Sequence, residues 1–287
     1  FVKVTFHYNA VKWHSGAFCE GIKSAKVKIL NSMETGPTLF KSCTAIASML
    51  YLVSGISYFI HAKRMGIFLI FVGLTINIAI LVMRGHVAGG WYLDLMFTEG
   101  AELLVLPSGM ACVALFLLWR GADTEGLIVM IPLVITSIIP FVIPEDVVLP
   151  SMKAQVLVAP LFFLTEALSA ALFISAGVLA FAFLVSGLNS EMVYSRRFAL
   201  WGFVVFTLCQ IIGAIWAYIG WSYPFSWSSR HLASASVWCV YAALIHVRLI
   251  EIRPEIKAIC AVLGCIPLIY IIYHHEIVEV LHGGCFG

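Results

Sequence analysis

Apolar residues run in eight long blocks, at roughly 42–61, 66–84, 100–119, 126–144, 156–186, 198–222, 232–249 and 256–273. Each is close to the ~17–25 residues that carry an α-helix across a bilayer. In lipid the backbone has no water to bond to, so a spanning segment must satisfy its own N–H and C=O groups, and runs of this length do so as helices. Polar residues collect between the blocks in stretches too short for a soluble domain. The pattern predicts an all-α fold, a polytopic transmembrane helical bundle of about eight spans over residues 37–287. The block at 156–186 is longer than a bilayer is thick and should tilt or protrude. Residues 1–36 mix polar and apolar positions, with five lysines from Lys3 to Lys28, and read as a tail or interfacial segment.

Composition strengthens the membrane reading. Hydrophobic residues make up 62% of the chain, charged residues 11%, and the mean hydropathy is +1.01. A water-soluble chain carries about 25% charged residues. The net charge of +2 is too small to suggest a nucleic-acid partner. No segment with the layout of a cleavable signal peptide precedes the first span, and the chain opens on Phe1, so a start upstream is expected. None of the eight cysteines forms a C-x-x-C or C-x-x-C-H pattern, which argues against covalent haem attachment to this chain.

Charge sets the expected orientation. One set of loops holds Lys63, Arg64, Arg120, Arg196, Arg197, Arg248, Arg253 and Lys257, and the opposite set holds Arg84, Lys153 and Arg230. The richer side is expected to face the cytoplasm or its organellar equivalent. Both termini and the loops at 85–99, 145–155 and 222–231 then face outside, although the lysine-rich tail breaks the pattern.

Histidine and tryptophan are the candidates for chemistry. His86, His231, His274, His275 and His282 lie on the outer side, and His61 and His246 end spans one and seven on the inner side. Imidazole is the usual protein ligand of b-type haem iron, and two rings clasp one iron from opposite faces. His61 with His246, and His86 with His282 or another outer histidine, are the pairs that depth allows. The bland alternative is a histidine that caps a helix end at the interface. Residues 213–230 read GAIWAYIGWSYPFSWSSR, with Trp216, Tyr218, Trp221, Tyr223, Phe225 and Trp227 at the outer end of span six and in the loop after it. An aromatic belt explains one or two such residues per helix end. Six within twelve positions suit a planar platform that stacks a flat macrocycle. Glu166, Gln210 and Asn77 are polar residues inside spans, where an acid is a functional candidate by default.

The stretch from Gly213 to Arg248 resembles the WWD region of the cytochrome c assembly family, the CcsA, ResC, CcmC and CcmF group of haem-handling membrane proteins. Gly213, Ala214, Trp216, Ala217, Trp221, Ser226, Trp227, Trp238, Val240, Tyr241, Ala242, His246 and Arg248 align with it without gaps. The closing VLHGGCFG is similar to the family's terminal Gly-Leu-His-Ser-Tyr-Gly and puts His282 on a family histidine; RGHVAGGWY is loosely similar to its Gly-His segment. The resemblance implies a non-covalent haem b at the outer Trp-rich loop, 213–231, and haem delivery to apocytochrome c. Trp216, Trp221 and Trp227 would form the platform, His282 an outer axial ligand and His246 the ligand within the membrane.

This chain is a divergent member of that pattern. The family Asp-Pro is Ser228 and Ser229, its Lys-Glu is Arg230 and His231, and its span-five histidine is Pro160. His86 or His231 would have to take the missing ligand's place. The departures keep an alternative in play: a haem b electron-transfer subunit between a quinol and a c-type cytochrome partner. A haem-less scaffold among other membrane subunits is a third reading. A small-molecule transporter with helices broken at Pro107, Pro132, Pro140 and Pro160 is a fourth.

Overall fold

The computed structural model describes residues 41–87, 102–142, 158–227, 229–247 and 252–281. They form eight helices: α1 (Lys41–Phe59), α2 (Lys63–Val87), α3 (Glu102–Trp119), α4 (Asp123–Val142), α5 (Val158–Ser186), α6 (Asn189–Trp221), α7 (Ser229–His246) and α8 (Pro254–Leu281). No strand occurs among the described residues. Each apolar block of the sequence has become one helix. Five of them, α1, α2, α4, α5 and α6, are long and apolar enough to cross a membrane over their described residues. The protein is an integral membrane helical bundle. The N-terminal tail lies outside the described residues.

Two helices outgrow their apolar blocks. α6 begins at Asn189, nine residues before its block, because the polar opening NSEMVYSRR still places Met192, Ser195 and Phe198 against neighbouring helices. Its 33 residues give ~50 Å of helix at ~1.5 Å per residue. That exceeds the ~30 Å hydrocarbon layer, so its first turns stand beyond the apolar zone on the cation-rich side. α8 runs on to Leu281 because no Gly or Pro interrupts it after Leu268.

Short turns on the cation-rich side join the helices into antiparallel pairs. At the end of α1 the Ala62 N–H donates to Ser57 O at 2.9 Å and the His61 N–H to Tyr58 O at 3.1 Å, with His61 at φ 67°. This is the paired 6→1 and 5→2 bonding that closes a helix on a left-handed residue. Gly121 closes α3 in the same way, at φ 75°. His61, one of the candidate haem ligands, therefore occupies a helix-terminating position that usually goes to glycine.

Polar side chains tie α1, α2 and α4 together. Asn77 is not a free functional group: it is buried, and its amide donates to the Tyr51 hydroxyl at 3.1 Å, joining α2 to α1. Ser54 donates to Gly66 O at 2.8 Å, and Ser48 to Ser137 O at 2.6 Å, joining α1 to α2 and α4. On the cation-rich rim Asp123, at the start of α4, accepts from Tyr58 and pairs with Lys63. Because Asp123 holds both partners, Asp123→Ala should lower the thermal midpoint of the detergent-purified protein more than Lys63→Ala does. The pair itself contributes at most ~1 kcal/mol at such an exposed site.

α5 is the central helix, packed against α3, α4, α6 and α8. Small residues on it let its neighbours approach closely, the usual basis of helix association in lipid. A Cβ on Gly109 of α3 would lie 2.9 Å from that of Ala171. Gly177 faces the Cys265 side chain of α8 directly. Nearby, Phe173 stacks on Tyr241 of α7 with ring centroids 3.4 Å apart, and the Cys265 thiol donates to Phe173 O at 3.3 Å. These contacts lock α7 and α8 to α5.

Candidate functional site

α6 ends at the outer side on Ser222, which adopts φ 64° while its N–H donates to Tyr218 O at 2.8 Å. The chain then turns into the short segment that leads to α7. The structure divides the tryptophans expected to form one platform. Trp216 is wedged between helices, its ring 5.7 Å from Phe162 and 5.8 Å from Phe163 of α5. Gly213, one turn deeper, makes room by bringing the α6 backbone against the Phe162 ring. Trp227 instead stands 83% exposed in the loop. Its ring meets Phe225 edge-on at 5.6 Å. Phe225 lies 5.5 Å from the His231 ring, and the Ser226 hydroxyl is 2.8 Å from His231 Nδ1. Trp227, Phe225, Ser226 and His231 thus form one cluster where the loop folds back on the first turn of α7. Trp221 closes α6, but its side chain lies outside the described residues.

Below the loop runs the seam between α6 and α7. Trp238 of α7 fixes its register: the indole N–H donates to Thr207 Oγ1 at 3.1 Å and the ring lies 5.4 Å from Phe203. Arg196, Phe203, Thr207 and Gln210 are spaced i, i+7, i+11 and i+14, which puts all four on one face of α6, toward α7. Arg196 Nε and Gln210 Nε2 are buried donors with no hydrogen-bond partner among the described residues. Counting outward along both antiparallel helices from the Trp238–Thr207 bond, Gln210 is level with Ala235, about one turn short of His231. Counting inward, Arg196 lies three residues, nearly one turn, beyond His246. Each of these donors thus lies within about one helical turn in depth of a histidine of α7.

The His246 ring is held by its own helix. It is exposed, and its Nδ1 lies 2.7 Å from Ala242 O. A carbonyl only accepts, so Nδ1 carries the hydrogen, and in the neutral ring Nε2 holds the lone pair. This Nδ1–H to carbonyl bond is the arrangement that orients metal-ligating histidines. His61 does not share this setting. It sits in the turn between α1 and α2, and no described contact joins it to His246. His86 lies in the last turn of α2 and His274 and His275 in α8, with side chains outside the described residues, and His282 is itself outside them.

A polar layer accompanies the outer half of the site. Glu166 is 9% exposed on α5, and Ser234 is buried on α7. They lie seven residues outward from Phe173 and Tyr241, the pair that stacks, so they share one depth. On α6 at that depth Cys209 donates its thiol to Phe162 O at 3.6 Å. Pro160, where the resemblance expects a histidine, is a buried residue of the first turn of α5. Two further tryptophans of α6 and α7 stand apart from the loop: Trp238 is committed to Thr207, and Trp201 is exposed well down α6. Arg196 reads in the sequence only as an orienting charge. Its helical spacing to Phe203, Thr207 and Gln210 is the signal that it shares their face.

Comparison with known proteins decides the family. The cytochrome C assembly protein family matches residues 35–282. The chain belongs to the cytochrome c assembly family. The match takes in all eight helices, from α1 to the end of α8. One relative is "Cytochrome c biogenesis protein CcsA" of Thermosynechococcus vestitus (strain NIES-2133 / IAM M-273 / BP-1), 42% identical over 48 residues. That stretch covers 17% of this chain and 15% of the relative. As a cytochrome c assembly protein, the chain presents the α6–α7 seam and its outer aromatic loop as the place where donors, aromatic faces and histidines converge.

Proposed function

We propose that this family member binds non-covalent haem b at two sites along the α6–α7 seam, an inner one at His246 and an outer one beside His231, and assists haem delivery in cytochrome c maturation. The observation that supports the reading is the pair of buried donors, Arg196 Nε and Gln210 Nε2, that find no partner among the described residues and lie within about one turn in depth of His246 and His231. A buried donor without a partner costs about 1–3 kcal/mol, so an acceptor from outside the chain is expected there. Haem fits the donor set. It offers propionate oxygens to a guanidinium, an iron to imidazole and a flat apolar ring to exposed aromatics.

The chain's own residues then have distinct tasks. His246 offers Nε2, held in position by its bond to Ala242 O. Arg196 supplies a charged donor within about one turn of it in depth. On the outer side Trp227 and Phe225 provide faces for stacking, and Ser226 orients His231. His282 remains a proposed outer ligand from the family likeness, and Gln210 donates toward the outer site. When bound, haem supplies the group handed on to apocytochrome c.

The test is a reduced-minus-oxidised visible spectrum of the purified protein and its variants. His246→Ala and Arg196→Met should both deplete the inner haem. His231→Ala and Gln210→Leu should both deplete the outer one. Loss of the same haem from all four variants, or from none, would defeat the two-site assignment. Haem retained in stoichiometric amounts with a stable c-type cytochrome partner would favour the electron-transfer reading, to which the histidine missing at Pro160 also points.

A further inference from the structure

The cation-rich rim holds a second construction, separate from the seam. Arg120, just past the end of α3, lies over the Phe116 ring, 5.7 Å from its centroid. Phe116 meets Phe198 of α6 edge-on at 6.4 Å. Phe198 stacks with Tyr194 at 6.3 Å and an interplanar angle of 27°. Arg197 lies over the Tyr194 ring at 5.8 Å. Five side chains from two helices make one continuous row with a guanidinium at each end. α3 and α6 each pack on α5, and the Phe116 and Phe198 rings connect them.

Both arginines are exposed, and between described residues neither has a carboxylate partner. The described acids nearby are otherwise placed. Asp123 is taken by Lys63 and Tyr58. Glu191 is buried and accepts from Ser186. Glu125 is buried at the start of α4. Stacking on an aromatic face orients a guanidinium without neutralising it. Beside the row the surface is apolar: Phe116, Trp119, Leu200 and Trp201 are all exposed. Two oriented cations above exposed apolar and aromatic side chains, at the predicted inner interface, match a phosphate above acyl chains.

We propose that this row binds anionic phospholipid of the inner leaflet, with Arg120 and Arg197 drawing lipid phosphates to its two ends and the acyl chains lying on the Phe116 side. The proposal is independent of haem. Arg196, which shares its face of α6 with Phe203 and Thr207 toward α7, takes no part.

The test titrates the full-length purified protein with phosphatidylglycerol, phosphatidylcholine or inorganic phosphate, with bound lipid read by native mass spectrometry. Wild type should bind phosphatidylglycerol in preference to phosphatidylcholine. Each near-surface cation contributes about five-fold to such binding, so Arg120→Gln with Arg197→Gln should weaken it by roughly 30-fold. Arg64→Gln with Lys257→Gln, elsewhere on the same rim, should change it by less than about five-fold, the share of a single near-surface cation. Should the first pair of substitutions prevent folding, Arg197→Gln alone gives the same readout at about five-fold. Equal binding of the two lipids would overturn the proposal. Equal loss in both double variants would reduce it to general attraction by the rim, and full competition by inorganic phosphate would make it a free-anion site.

Discussion

Replacing Gly177 by leucine should remove most of the folded protein from detergent extracts. A Cβ at this position would fall on the Cys265 side chain, where α5 and α8 touch. Cys265 cannot easily yield, because its thiol donates to Phe173 O and lies 3.7 Å from the Tyr241 hydroxyl. Overpacking of a tight contact costs typically ~1–3 kcal/mol, and here the strain spreads to three helices. Gly55 is the control. Nothing lies within 4 Å of its Cβ position, so Gly55→Ala should leave stability unchanged or raise it by up to ~1 kcal/mol. Thermal midpoints followed by tryptophan fluorescence compare the two. Equal midpoints for both variants would mean that the α5–α8 contact is not tight.

The second large effect separates two tryptophans of one motif. Trp216→Ala should destabilise the bundle, because it empties the space between Phe162 and Phe163. Full burial would make that ~3–5 kcal/mol, and half-burial lowers it to ~2 kcal/mol. Trp227→Ala should leave stability within ~0.5 kcal/mol, since the ring is exposed. The same variant should lose the outer haem. A stable Trp227→Ala protein with its full haem content would remove this residue from the platform, and an unstable one would show that the loop packs elsewhere.

The spans were legible in the sequence because a bilayer demands ~20 apolar residues in a row and leaves few other solutions. The inner extension of α6 was not, since Asn189–Arg197 is polar and its helix depends on where Met192, Ser195 and Phe198 pack. The role of Asn77 was equally hidden, because its partner Tyr51 lies on another helix. The Trp-rich stretch marked a candidate site, but not how its tryptophans are placed. Trp216 and Trp227 are the same residue type in the same segment, and only Phe162 and Phe163, some 50 residues earlier, decide which one is buried. His246 could be named from the motif alone, whereas the bond to Ala242 that presets its ring is a property of the folded last turn. Arg196 and Gln210 emerged as partners of α7 only once Trp238 fixed the register of the seam.

The most direct measurement is the haem content of the gently purified, folded protein by pyridine haemochrome. Haem binding at an inner and an outer site along α6 and α7 predicts a b-type spectrum at about two haems per chain. A folded, monodisperse preparation without haem, which also takes up none when haem is added, would contradict it.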